Sequence, residues 1–368
     1  MTPCALQRIN PTTTLPFLRR TATAPLFPSK PPFSFLSSTS PSPHLRFSFS
    51  LSRGVAHALH KRRCLCSKLA MSQVVVRDPD VLERKKASIR DVGPGKLQVI
   101  ADFDGTLTKY WCNGVRGQTS HSLLQQGNAE YDAKRQALYE YYHPLEISPT
   151  IPIEEKTKLM EEWWEKTHGL LIEGGLTYDA IRKSVADASI TFRDGVVQLF
   201  EFLEEKDIPV VIFSAGLADI IEEVFRQKLH RSFKNIKIVS NRMQFDESGR
   251  LVAFKGKTIH VFNKNEHAID MAAPIHDKFG SSDSPDSPDV NGTFVKDRTN
   301  IVLLGDGLGD LGMSDGISFE HRIAVGFLNS NIEKSLKDYS EAFDIVFLND
   351  APMWGMVDLV SELCSMKQ

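Results

Sequence analysis

The first fifth of the chain contains no acidic residue. In a chain of 368 residues the first aspartate or glutamate is Asp78, whereas residues 1–76 hold ten lysines and arginines among many serines, threonines and prolines. A basic, serine-rich and acid-free N-terminus is typical of an organelle transit peptide. We therefore predict that residues 1–76 are a disordered targeting segment that takes no part in the fold.

The remainder of the chain is acidic. The whole chain has a formal charge of −2, so the ten positive charges of residues 1–76 leave −12 for residues 77–368. An acidic protein has no surplus of cations with which to neutralise a nucleic-acid backbone, and we predict no nucleic-acid partner. A nucleic-acid-binding arm is also a weaker interpretation of the leader, because its charges are dispersed and form no blocks.

The composition of the leader also bears on localisation. Its serine and proline content favours a plastid, which is the prediction we adopt. Residues 51–64 have the pattern of a basic amphipathic helix, which is typical of mitochondrial leaders. Translation from Met71 would instead give a product without the leader, and that product would stay in the cytoplasm.

Long apolar runs and cysteines are scarce. No run of 18 apolar residues occurs, so we predict no membrane span. Three of the five cysteines lie in the leader, which leaves Cys112 and Cys364, too few for a disulfide framework or a zinc cluster. The sequence carries no indication of oligomeric state.

The most informative stretch is a short apolar run that ends in two acids. Residues 97–101 lead directly into Asp102 and Asp104, followed by Gly105. The pattern predicts a buried strand that ends in a turn. Taken alone, this stretch also fits a solvated turn. In open α/β sheets, however, ligands bind at the carboxyl ends of strands, and paired carboxylates there suit metal binding or acid–base chemistry.

Two further predicted strands end in similar groups. Residues 209–213 lead to Ser214 and Gly216, and residues 300–304 lead to Asp306 and Asp310. The carboxyl ends of parallel strands meet at one edge of a sheet, so these side chains are expected to lie close together.

These three strand ends, together with Lys264, resemble the four motifs of the haloacid dehalogenase superfamily of phosphohydrolases. The order and spacing of all four motifs make the resemblance specific. It implies an α/β fold with a doubly wound, mostly parallel sheet. It also implies that the helical pattern of residues 113–191 is a cap domain, inserted into a core formed by residues 77–112 and 192–368. A polar stretch at residues 281–298 is predicted to be a flexible loop within the core.

A closer resemblance is to the cytosolic pyrimidine 5'-nucleotidase III family, which includes the 7-methylguanosine-phosphate-specific 5'-nucleotidases. It runs from about Leu97 to the C-terminus. The segments that carry it are Tyr141-Tyr142, residues 163–171 (WWEKTHGLL), 212–216 (IFSAG), Val239-Ser240-Asn241, 260–264 (HVFNK) and 305–313 (GDGLGDLGM).

The resemblance implies a role for each acid. Asp102 would be the nucleophile, and Asp104 would transfer protons. Asp102, Asp306 and the backbone carbonyl of Asp104 would bind Mg²⁺, and Asp310 would act behind them, through a water molecule or by orienting Asp306.

The resemblance also implies the substrate contacts. Ser214, the amide of Ala215 and Lys264 would hold the phosphate, whereas Glu146 and Thr167 would contact the substrate from the cap. The implied activity is magnesium-dependent hydrolysis of nucleoside 5'-monophosphates, either UMP and CMP or 7-methyl-GMP. Two alternatives stay open: a phosphatase of another small ester such as a sugar phosphate, and a non-catalytic nucleotide- or metal-binding relative.

Overall fold

The computed structural model describes residues 73–124, 128–265, 273–274 and 297–365. Residues 1–72 of the predicted leader, and all but the last two residues of the predicted loop at 281–298, lie outside the described residues. Residues 74–76, which composition alone assigned to the leader, form a strand of the central sheet. Three consecutive valines favour a strand, and the folded part therefore begins before residue 77.

The described strands, in chain order, are β1 (Val74–Val76), β2 (Leu97–Ala101), β3 (Trp111–Cys112), β4 (Val115–Arg116), β5 (Val210–Leu217), β6 (Ile236–Phe245), β7 (Leu251–Lys255), β8 (Ala273–Pro274), β9 (Asn300–Gly305), β10 (His321–Leu328) and β11 (Ile345–Leu348). The described helices are α1 (Pro79–Val92), α2 (Ala129–Glu146), α3 (Ile153–Glu173), α4 (Tyr178–Asp187), α5 (Val196–Glu205), α6 (Ala218–Lys228), α7 (Ile332–Ala342) and α8 (Trp354–Leu363). Among the described residues, no helix combines the length and the apolar character needed to cross a membrane.

The central sheet is mostly parallel. Its strand order is β1-β11-β10-β9-β2-β5-β6-β7, with β8 beside β6, while β3 and β4 form a separate hairpin. The five pairings from β11 through to β6 are parallel, and β1, β7 and β8 join antiparallel. The predicted α/β fold with a mostly parallel sheet is confirmed.

Both faces of the sheet are buried. Val99 and Ile212 belong to one apolar cluster, whereas their neighbours Ile100 and Phe213 belong to another. Successive side chains of a strand point to opposite faces, so each central strand contributes to a core on either side. This explains why the strands read as continuous apolar runs and not as alternating patterns.

A helical insertion leaves and rejoins the sheet at adjacent points. Helices α2, α3 and α4 lie between the turn after β2 and the start of α5. The outgoing and returning segments lie side by side, because the Lys109 amide donates to the Thr191 carbonyl at 2.8 Å and the Arg193 amide donates to the Leu107 carbonyl at 2.9 Å. The insertion is therefore joined to the sheet by two adjacent linkers.

The first helix of the insertion is longer than its sequence pattern predicts. The pattern indicates a helix that ends at Tyr142, whereas α2 continues through Pro144 to Glu146. Asn128 caps its beginning by accepting a hydrogen bond from the Glu130 amide at 3.2 Å. The extension places Glu146 in the last turn of the helix.

Candidate active site

Three carboxylates meet at the carboxyl edge of the sheet. Asp102 follows β2, while Asp306 and Asp310 follow the neighbouring strand β9. One oxygen of each carboxylate lies within 4.8 Å of the other two. Parallel pairing of β2 with β9 creates this cluster, because it brings strand ends about 200 residues apart to the same edge.

Lys264 lies between two of these acids. Its ammonium group donates to Asp102 Oδ1 at 2.6 Å and to Asp310 Oδ1 at 2.8 Å. Burial opposes the charge on Lys264, but the two carboxylates outweigh it, so the pKa of Lys264 is raised. Burial raises the pKa of Asp102 to about 7 despite this ion pair. Three carboxylates therefore share one buried lysine.

Gly105 allows Asp306 to approach the turn after β2. Its φ is +76°, a left-handed conformation that favours glycine. A Cβ at this position would collide with the Asp306 carboxylate. Burial, together with the charges of Asp102 and Asp310, raises the pKa of Asp306 well above its ordinary value.

Asp310 supports the cluster as well as belonging to it. Its Oδ2 accepts hydrogen bonds from the amides of Asp306 and Gly307, at 3.1 and 2.9 Å. The sequence predicts only an indirect role for Asp310, whereas the geometry places its carboxylate beside the other two. The side chain of Asp104 lies outside this cluster of three.

Asp104 is bound by the segment that leads into the helical insertion. The Ser120 amide donates to its Oδ1 at 2.7 Å, and the Ser120 hydroxyl group donates to its Oδ2 at 2.5 Å. Burial raises the pKa of Asp104, and the two donors of Ser120 oppose that effect. Nothing in the sequence around Ser120 indicates this contact, since the two residues are 16 positions apart.

The last residues of β5, where its register with β6 shifts between Phe213 and Leu217, are held from β6. The Ser240 hydroxyl group donates to the Gly216 carbonyl at 2.8 Å, and the Asn241 amide group donates to the Ala215 carbonyl at 3.0 Å. Within this stretch, Ser214 Oγ accepts a hydrogen bond from the Gly216 amide at 3.0 Å. Ser214 is thus fixed at the same sheet edge as the acids, although β5 continues past it to Leu217 and does not end before it as the sequence predicts.

The two predicted cap contacts lie on different helices. Burial raises the pKa of Glu146 to about 7, with the charge of Lys156 opposing it. Lys156 in turn lies 5.5 Å from the ring centre of Phe262, two residues before Lys264. Thr167 is buried on α3. Among the described residues, no hydrogen bond joins Glu146 or Thr167 to the carboxylate cluster.

Four rings form a continuous row, which we call the aromatic row: His121, Trp164, His168 and Phe254. The centres of neighbouring rings are separated by 4.9, 5.3 and 3.6 Å. The row begins at the residue after Ser120, which binds Asp104. Trp164 and His168 both pack against neighbouring rings here.

His168 gives the row a pH dependence. Burial, together with nearby His121, lowers the pKa of His168 to about 4, and its Nε2 has no hydrogen-bond partner. In the unfolded chain the imidazole takes up a proton at about pH 6.5. The stability that His168 contributes is therefore present above that pH and is lost as the pH falls towards 4.

Replacing His168 by phenylalanine removes this proton uptake. When the pH falls from about 7 to about 5, we expect the free energy of unfolding to fall less in His168→Phe than in wild type, by on the order of 1 kcal/mol. Denaturant unfolding at both pH values measures this difference, and parallel losses would contradict the prediction.

The turn after β2 is supported by a buried arginine, which the sequence gives no reason to single out. Arg193 donates to the carbonyl groups of Gly105 and Thr106, the latter at 2.7 Å, and to Asn329 Oδ1 at 2.7 Å. Its guanidinium group also pairs with Asp350 at 2.9 Å. Asp350 accepts hydrogen bonds from two amides of the outgoing linker. One buried cation therefore ties the turn after β2 to the linker.

The doubly wound sheet, with four acids and a lysine at its carboxyl edge, defines a phosphohydrolase of the haloacid dehalogenase type. A family profile described as "Pyrimidine 5'-nucleotidase (UMPH-1)" matches residues 105–364. The chain belongs to this family and is a 5'-nucleotidase, a phosphoric monoester hydrolase.

Individual relatives agree with this assignment. The chain is 39% identical over 288 residues to the 7-methylguanosine phosphate-specific 5'-nucleotidase A of Xenopus laevis, which covers 77% of this chain and 92% of the frog protein. The Homo sapiens 7-methylguanosine phosphate-specific 5'-nucleotidase is 35% identical over 288 residues, with 77% and 90% covered. Among solved structures, cytosolic 5'-nucleotidase IIIB bound to cytidine matches with a TM-score of 0.65 and 31% identity, covering 79% of this chain and 93% of that one.

Proposed function

We propose that the protein is a magnesium-dependent 5'-nucleotidase that hydrolyses UMP, CMP or 7-methyl-GMP through an aspartyl-phosphate. The observation that carries the proposal is the cluster of Asp102, Asp306 and Asp310 around Lys264, with Asp104 two residues from the nucleophile. The names of the relatives support a nucleoside monophosphate as the substrate.

The carboxylate cluster fits a magnesium ion. Mg²⁺ prefers oxygen ligands and is usually held by one or two carboxylates, with water and substrate oxygens at its other positions. Asp102 and Asp306, with the carbonyl group of Asp104, would hold the ion, and Asp310 lies close enough to bind directly or to orient Asp306. When bound, the ion neutralises charge on the phosphate and on its nucleophile. Burial and the neighbouring carboxylates raise the pKa values of Asp102 and Asp306, and a bound cation would favour their charged forms.

Asp102 supplies the nucleophile. Its carboxylate oxygen attacks phosphorus, the bond from phosphorus to the ribose 5'-oxygen breaks, and the phosphoryl group remains on Asp102. Lys264, which already contacts Asp102, reduces the repulsion between the carboxylate and the phosphate dianion. Ser214 and the amide of Ala215 bind the equatorial oxygens, over which the charge spreads in the transition state.

Asp104 moves the protons. It donates a proton to the departing 5'-oxygen, and it later accepts one from the water molecule that hydrolyses the aspartyl-phosphate. General acid–base catalysis of this kind typically contributes about 10²- to 10⁴-fold in rate.

The helical insertion, residues 113–191, would act as a cap that closes over a core formed by residues 77–112 and 192–368. The aromatic row offers flat apolar faces against which a base can stack, one residue from the Ser120 contact to Asp104. Thr167 and Glu146 would contribute hydrogen bonds to the substrate. Because burial raises the pKa of Glu146 to about 7, this side chain is able to donate as well as accept near neutral pH.

The leader adds a proposal about location. Residues 1–76 contain ten cations and no acid, and this composition supports import into a plastid, with a cytoplasmic form if translation begins at Met71 and a mitochondrial one as the other alternative.

Phosphate release from the full chain tests the proposed function. We expect magnesium-dependent release from UMP, CMP or 7-methyl-GMP, little from AMP, GMP and sugar phosphates, and loss of release in EDTA. Magnesium should also raise the melting temperature without substrate, because it relieves repulsion within the carboxylate cluster.

Three outcomes would change the proposal. Release mainly from sugar phosphates would retain the mechanism and replace the substrate. Undiminished release in EDTA would contradict the metal requirement. Absence of release from every ester would favour a non-catalytic binding protein.

A further inference from the structure

Ser120 belongs to none of the sequence motifs, but it contacts two parts of the candidate site. It is fully buried, and it uses both of its donors on one carboxylate, that of Asp104. It also packs directly on the last residues of β5, because a Cβ built on Gly216 would collide with Ser120 Oγ. Ser120 therefore lies between the carboxylate that is proposed to move protons and the end of β5 that is proposed to bind phosphate.

The segment around Ser120 is anchored to the far end of the helical insertion. The Ser184 hydroxyl group, on α4, donates to the Leu123 carbonyl. The Ser189 amide donates to Gln118 Oε1 at 2.9 Å. These contacts fix the residues on either side of Ser120 to the part of the insertion that returns to the core. The position of Ser120 thus depends on the position of the insertion.

We propose that Ser120 is a positioning residue that holds the Asp104 carboxylate for proton transfer and makes this orientation depend on the placement of the cap. The inference deepens the proposed function and rests on it. A carboxylate offers about four lone-pair sites on two oxygens, and Ser120 occupies one site on each oxygen. Two donors from one residue fix the plane of the carboxylate, which leaves the remaining sites facing a constant direction.

The chemical consequence depends on the leaving group. As the phosphorus–oxygen bond breaks, the proton of Asp104 passes to the departing oxygen while the phosphoryl group bonds to Asp102. A strongly basic alkoxide or phenoxide needs that proton, whereas the anion of 4-nitrophenol is stable without it. If the Asp104 carboxylate loses its orientation, the hydrolysis of esters of weakly acidic alcohols should therefore slow more than the hydrolysis of esters of acidic ones.

The test compares two aryl esters in the full-length protein with Mg²⁺. For Ser120→Ala we expect kcat/KM to fall about 10- to 100-fold for phenyl phosphate, whose phenol has a pKa of about 10, but about threefold or less for 4-nitrophenyl phosphate. Because kcat/KM reports only the steps up to the release of the alcohol, the later hydrolysis of the aspartyl-phosphate does not affect the comparison. Ser120→Cys, which nearly retains the volume but has a weaker donor, serves if the alanine variant does not fold.

Ser122→Ala is the matched control. Ser122 lies two residues further on in the same segment and is exposed. Within the part of the chain that the structure describes, its side chain forms hydrogen bonds only with Thr119. It should leave kcat/KM for both esters unchanged.

Equal losses for the two esters in Ser120→Ala, or no loss for either, would overturn the role of Ser120. Failure of the wild type to hydrolyse nucleotides while it still hydrolyses aryl esters would overturn only the proposed substrate. The two failures are therefore distinguishable.

Discussion

Replacing Asp102 by asparagine is expected to lower kcat/KM for the nucleotide substrate by about 10³-fold or more, because an amide cannot form the phosphoryl-enzyme bond. The substitution preserves shape and leaves Lys264 paired with Asp310 at 2.8 Å. It also removes a buried charge whose pKa burial raises to about 7. We therefore expect the melting temperature to change little while turnover is lost.

Acid quenching during turnover provides a second measurement of the same step. Wild-type protein incubated with a ³²P-labelled substrate should retain label after denaturation, and Asp102→Asn should not. Asp187→Asn, an exposed acid at the end of α4, should match wild type in both measurements. Retained turnover in Asp102→Asn would refute the assignment of the nucleophile.

The second large effect is expected at Arg193. Changing it to methionine retains an apolar stem but removes every donor. Asp350 then lacks its buried partner, and two carbonyl groups of the turn after β2 lack theirs. Breaking a buried ion pair from one side typically costs about 3–5 kcal/mol. We expect a loss of that size in the free energy of unfolding, measured by denaturant titration with Mg²⁺ present.

Arg231→Met is the matched control for this change. Arg231 also pairs with two acids, Glu201 at 2.8 Å and Glu204 at 2.6 Å, but its side chain is 40% exposed. Exposed ion pairs are typically worth less than about 1 kcal/mol, so this variant should lose little stability. A similar loss in the free energy of unfolding of both variants would contradict the prediction that the burial of Arg193 makes its ion pair costly to break.

Much of the fold follows from the order of residues. The apolar runs before Asp102, Ser214 and Asp306 predict buried parallel strands, because strands covered on both faces are apolar throughout. The helical pattern between the first two strands predicts the insertion. The residues Asp246 to Gly249 (DESG) are typical of a hairpin turn, and a turn joins β6 and β7 there.

Some residues of the candidate site also follow from the sequence pattern, whereas others do not. Asp102, Ser214 and Asp306 can be found from sequence because each follows a predicted strand, and parallel strands end at one edge. Lys264 and Glu146 depend on resemblance, since their surroundings have no regular pattern. The structure places Lys264 against two acids, and it extends α2 to Glu146.

Only the tertiary structure could identify Ser120, Arg193 and Asn329 as parts of the site. Arg193 and Asn329 are 136 residues apart in the sequence. The side chain of each forms hydrogen bonds with a backbone group or a carboxylate of another element. Sequence periodicity reports which face of an element is buried, but it carries no information about which distant polar group will satisfy a buried donor. The sequence by itself therefore determined which strand ends carry the reactive acids, and the packing of the linkers against the sheet decided which residues hold those acids in place.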